Sequence, residues 1–138
     1  MKYLQLFILL AIACLTAFAQ PTGGESLRVA SAKRAREYRN FGGRSLTAAD
    51  AARDVVLVLE LADVTIDEFQ KLGRDDLYVM AGSRRCNPSI ALSGVIDGKP
   101  QILVAVIVPR DVLKLVLFAG PGRSITFTAP AAIRNLVE

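Results

Sequence analysis

Histidine and tryptophan are absent from the 138 residues, and cysteine occurs only twice, at Cys14 and Cys86. Without an imidazole there is no serine triad, no cysteine–histidine pair, no histidine-ligated zinc or copper and no histidine acid–base step. Carboxylate catalysis, a Ser–Lys pair and oxygen-ligated calcium remain chemically open. Each needs its own constellation of side chains.

The chain opens with an apolar run. Residues 1–19 start on Lys2, stay apolar over 4–15 and stop at Ala17-Phe18-Ala19, the pattern of a cleaved secretory signal peptide. A membrane anchor would need about 20 apolar residues to cross roughly 30 Å of hydrocarbon; residues 3–19 are short for that and include Gln5 and Thr16. Lipidation at Cys14 is the other alternative, since Ala11 and Ala13 precede it, but Ala11 stands where leucine is usual. Cleavage predicts an exported chain, periplasmic or extracellular, that starts near Gln20 and has no membrane span afterwards. It also leaves Cys86 alone, so no intrachain disulfide can form and packing must supply the stability. About 119 residues suffice for one core and not for two.

The charge balance is 17 basic residues against 13 acidic. The excess is concentrated over 25–44, where Arg28, Lys33, Arg34, Arg36, Arg39 and Arg44 outnumber Glu25 and Glu37. Residues 20–25 (QPTGGE) read as a flexible lead-in. For 26–38 a weak helical stripe (Leu27, Ser31, Ala35, Tyr38) competes with strand alternation at Leu27 and Val29; the β character of residues 54–128 favours a strand. A glycine-bearing loop over 40–44 comes next. Thr47-Ala48-Ala49-Asp50 resembles a capping box, which predicts one helical turn before Arg53.

From residue 54 the pattern is clearer. The run 55–61 (VVLVLEL) is rich in β-branched residues and predicts a central strand buried on both faces. Ile66, Phe69 and Leu72 have helical spacing before Gly73. Strands are expected over 77–81, 90–96, 101–108, 112–118 and 124–128, with turns at 82–85, at Asp97-Gly98 and at 120–122. Pro109 stops the most apolar strand, and 129–138 is expected to form a terminal turn or fray. Six or seven short strands without long intervening helices predict an all-β, two-sheet antiparallel sandwich.

The order of a charged first strand, a glycine loop, the aliphatic strand 55–61, a second aliphatic strand closed by Val108-Pro109 and a final hairpin over 115–127 resembles the small immunoglobulin-like β-sandwich modules of exported bacterial proteins. The resemblance covers roughly 26–130, with 131–138 as a C-terminal tail, and rests on packing signals. The antibody-type cysteine pair and tryptophan are missing. It implies a binding or scaffold module and transfers no functional residue.

Each candidate chemistry has a plainer explanation. The acids Asp63, Asp67, Glu68, Asp75 and Asp76 match no calcium-loop spacing, and Asp67 and Glu68 suit the start of a short helix. A glycosidase would need two carboxylates about a sugar-sized cleft. Ser31-Ala32-Lys33 lies in a charged segment that would not desolvate the lysine, and Gly120-Pro121-Gly122-Arg123 lacks the Lys-Ser/Thr and helix of a phosphate loop. Arg84 and Arg85 could activate the Cys86 thiol, against which stands a buried cysteine acting as a small apolar residue. Arg34, Arg36, Arg39 and Arg44, near Tyr38 and Phe41, could hold an anionic polymer, or could simply keep an edge strand from pairing. The sequence thus predicts a non-enzymatic module with no catalytic, metal or cofactor residues, whose partner is a protein or the cell envelope. An anionic polymer on the four arginines is the alternative, sequence-specific nucleic acid is not expected, and a carboxylate hydrolase is remote. An exposed apolar strip on an edge strand, at 112–118 or 77–80, would favour the first.

Overall fold

A computed structural model describes residues 27–39 and 43–137; the expected leader and lead-in lie outside the described residues. Among the described residues, ten strands and one short helix succeed one another: β1 Arg28–Arg39, β2 Ser45–Thr47, β3 Asp54–Ala62, α1 Ile66–Gln70, β4 Leu77–Ala81, β5 Arg84–Cys86, β6 Pro88–Ile96, β7 Lys99–Pro109, β8 Lys114–Ala119, β9 Ser124–Thr128 and β10 Ile133–Val137. The larger sheet runs β10-β1-β3-β7-β6, with β2 paired to β1, and the smaller runs β5-β4-β8-β9.

Alternation along the strands makes the core. Val55, Leu57, Leu59 and Leu61 of β3 and Ile102, Val104, Val106 and Val108 of β7 share one cluster with Leu77, Val79, Ala81, Cys86, Leu115, Leu117 and Ala119 of the smaller sheet. Two sheets therefore enclose one apolar layer, the arrangement of a β-sandwich. On the opposite face of the larger sheet, Val56, Val58 and Ala105 form a second cluster with Tyr38 and Ile90. β3 is accordingly buried on both faces over Val55 to Leu59, as its unbroken apolar run predicts.

Local chemistry sets the connections. Thr65 caps α1 by accepting from the Glu68 amide at 3.1 Å, and Phe69 is the residue that α1 buries. Asp97 and Gly98 both have positive φ, 52° and 76°, so β6 and β7 meet in a two-residue type I′ turn.

Four expectations change. The tail forms β10 and pairs parallel with β1, Arg34 opposite Ile133, so the larger sheet is not wholly antiparallel. The turn expected over 82–85 is confined to residues 82–83, because Arg84 to Cys86 form a strand that pairs with Val79 to Ala81. Thr47 belongs to β2, and the turn before Arg53 is organised by Asp50, whose carboxylate accepts from the Ala52 amide at 3.2 Å. Ten strands stand where the pattern predicts six or seven, the additional ones being short or at the chain's end.

Candidate functional site

The four predicted arginines do not form one exposed group. Arg34 shares the inner face of β1 with the core, opposite Leu57, and is only 4% exposed. Its guanidinium donates to the carbonyls of Pro130 (3.4 Å), Ala131 (3.1 Å) and Arg110, while its Nε has no partner. Burial, followed by the Arg110 cation, lowers its pKa, and Asp111 opposes them. It is a cross-link between β1, the end of β7 and the segment before β10.

Arg36, Arg39 and Arg44 are exposed. Arg36 lines a hollow of about 320 Å³ with Arg110 and Asp54. Arg39 pairs with Glu37 at 3.5 Å, and the β1–β2 register sets Ser45 opposite it, bringing Arg44 alongside.

The acidic residues are dispersed into local contacts. Asp63 meets Arg28 at 3.2 Å, Asp67 meets Lys71 at 3.7 Å, Glu68 meets Arg123 at 2.8 Å, and Asp76 accepts from the Gly73 amide at 2.9 Å. A groove of about 580 Å³ between the α1–β4 loop and the start of β6 is lined by Asp75 alone of these five acids. Among the described residues, no group of three or more acids or cysteines is placed to hold a metal ion, and no helix is long and apolar enough to cross a membrane.

Cys86 is buried, and burial pushes its thiol pKa up, the Arg84 cation pulling the other way. Arg84 is instead committed to Asp54 of the opposite sheet at 2.9 Å. The thiol should accordingly stay protonated and shielded at neutral pH. On a non-reducing gel the protein is expected to show no Cys86-linked dimer. Its reaction with an aromatic disulfide at pH 8 should be at least about tenfold slower when folded than in guanidinium, because access requires local opening. Equal rates in the two states would show that Cys86 is accessible.

The most developed surface is the outer face of the smaller sheet. Leu77, Val79 and Ala81 of β4 and Leu115, Leu117 and Ala119 of β8 point into the core, so the alternate Tyr78, Met80, Val116 and Phe118 point out. The register sets Tyr78 opposite Phe118 and Met80 opposite Val116. The Tyr78 and Phe118 rings stack with centroids 4.8 Å apart and planes 11° from parallel. Arg85 lies over the Tyr78 ring, its Cζ 3.9 Å from the centroid. Asn87 Oδ1 and the Asp75 carbonyl accept from Arg85 at 3.2 and 3.1 Å, which fixes the cation in place. On β9 the exposed Ser124, Thr126 and Thr128 stand opposite Phe118, Val116 and Lys114, adding a row of hydroxyls. A cation, an apolar aromatic centre and a polar margin thus succeed one another across one face.

The sequence predicts an apolar strip on an edge strand, and this one lies elsewhere: β4 and β8 are the inner strands of their sheet. Outward placement of Tyr78 and Phe118 is implied by alternation with their aliphatic neighbours. The role of Arg85 is not, because it depends on β5 pairing beside β4.

The fold and this face define an all-β, two-sheet protein with a preformed aromatic surface. Compared with protein-family models, curated proteins and solved structures, the chain matches none.

Proposed function

We propose that the chain is an exported, non-enzymatic binding module of immunoglobulin-like sandwich type, presenting the outer face of its smaller sheet to a protein or cell-envelope partner. The supporting observation is the Arg85–Tyr78–Phe118 stack with Met80 and Val116 beside it. Aromatic and arginine side chains held in place before contact lose little conformational freedom on binding, and such residues dominate binding energies. The face is supported from below by buried leucines, so it can lose a ring without losing the fold.

The test uses envelope material from the source organism, captured on tagged protein and washed in high salt. A ligand retained by wild type should bind Tyr78→Ala and Phe118→Ala at least about tenfold more weakly, a loss of roughly 1.4 kcal/mol or more, with both variants still folded at the temperature of the binding measurement. Undiminished binding by both variants would move the site elsewhere.

The exposure of Arg36, Arg39 and Arg44 supports the second reading, an anionic polymer held by charge, now without Arg34. That binding should fall steeply with salt and be indifferent to Phe118→Ala.

A further inference from the structure

The larger sheet ends in an edge that is protected only at its first residues. β6 pairs with β7 alone among the described residues, and Pro88 to Ile96 contains no charged side chain. Leu92, Val95 and Ile96 are 39%, 66% and 46% exposed, the large apolar residues most open to solvent among the described residues. Edge strands are ordinarily blunted by lysine, proline or a bulge along their length. Here Pro88 sits at the first position, the irregularity in pairing lies between Pro88 and Ile90, and the rest of the strand is regular.

The turn fixes which backbone groups are open. Residues flanking a two-residue I′ turn exchange both backbone hydrogen bonds, and bonded and non-bonded pairs then alternate along the hairpin. Ile96, Gly94, Leu92 and Ile90 therefore bond to Lys99, Gln101, Leu103 and Ala105. Val95, Ser93 and Ala91 direct their N–H and C=O groups away from β7. Pro100, which has no N–H, stands opposite Val95, one of the places where no bond to β6 is called for.

We propose that this edge is a self-association site, at which β6 of a second copy pairs antiparallel about a twofold axis at Ser93. In that register Ala91 meets the second copy's Val95, Ser93 meets Ser93, and Val95 meets Ala91, each pair exchanging two backbone hydrogen bonds. The non-bonded pairs between them bring side chains closest, and there Leu92 lies over the bare Gly94 of the second copy while Ile90 meets Ile96. A large side chain falls against a glycine and a β-branched side chain against another. The hairpin-tip Asp97 falls opposite Ser89, so no like charges face each other. Ile90 already belongs to the outer apolar cluster of the larger sheet, and pairing joins the two copies' clusters into one. The fit is a property of the strand against itself, which selects a second copy over an unrelated strand. This surface is separate from the Tyr78–Phe118 face.

The full chain, expressed with its first nineteen residues so that processing takes its native course, tests this in two ways. Light scattering over a concentration series should show a mass approaching twice that of the monomer, and Leu92→Lys should raise the dissociation constant at least about tenfold without lowering the unfolding midpoint, because Leu92 is already partly exposed. Ser93→Cys places two sulfurs at the axis, where bonded pairs have Cα atoms about 5.5 Å apart, within disulfide range. Under mild oxidation Ser93→Cys should cross-link at least about tenfold faster than Val95→Cys, whose counterpart is Ala91. A monomer at every concentration, an assembly unaffected by Leu92→Lys, cross-linking faster at position 95, or occupation of β6 by another protein's strand would each overturn the proposal.

Discussion

Arg34→Ala is expected to lower the unfolding free energy by about 2–4 kcal/mol, far more than the loss of any exposed arginine in the basic segment. The guanidinium bonds to three carbonyls, those of Arg110, Pro130 and Ala131, from a position inside the sandwich. A hydrogen bond to a charged group is worth roughly 1.5–3 kcal/mol, and the sum is reduced because Pro130 and Ala131 are exposed, so water can satisfy part of what is lost. Lysine retains the charge but not the planar fork, so Arg34→Lys should recover less than half of the stability. The effect should be flat from pH 5 to 9: burial lowers the Arg34 pKa, yet an arginine remains protonated throughout that range. Urea unfolding at constant m-value is the measurement, and a change within about 0.5 kcal/mol of wild type would show that the three bonds contribute nothing net. By contrast, Arg36→Ala, at an exposed position, should stay within about 0.5 kcal/mol.

That contrast shows where sequence patterning is informative. β3 and β7 are legible because the centre of a sandwich buries long apolar runs, and the β6–β7 hairpin because Asp97-Gly98 suits a turn with positive φ at both positions. β1 is expected as a strand more from the β character of the residues that follow than from its own alternation, which a bulge between Val29 and Ser31 shifts and the inward Arg34 interrupts. β10 offers only a short segment, and its pairing with β1 joins the two ends of the described chain. The same limit applies to the candidate site. The segments carrying Tyr78, Met80, Val116 and Phe118 can be marked from the sequence, but whether they sit at an edge or on a face depends on strand order, which is a long-range property. Arg34 groups with the exposed cations in the sequence for a related reason, since a charge run is ordinarily solvated and only three backbone carbonyls brought from distant segments make the exception.

Leu57→Ala should cost about 2–5 kcal/mol, a large share of the 5–15 kcal/mol that typically holds a domain together. Leu57 lies on the inner face of β3, fully buried, with Arg34 beside it on β1 and Val106 beside it on β7. Strands on both sides fix the backbone there, so the space left by the leucine cannot close, and the cost belongs in the upper half of the range. For a chain of this size the melting temperature should fall by roughly 14–20 °C. The informative experiment is the double variant. The aliphatic stem of Arg34 and the Leu57 side chain lie side by side on adjacent strands, so Leu57→Ala should loosen the platform from which the guanidinium reaches its carbonyls. The combined loss for Arg34→Ala with Leu57→Ala should therefore fall short of the sum by about 0.5–1.5 kcal/mol, as expected for residues that share an environment. Strict additivity would mean that the arginine is held by its three carbonyls alone and that the core is indifferent to it. A shortfall would make Arg34 a member of the core, a cation whose stem is packed by β3 and whose head closes the end of the sandwich.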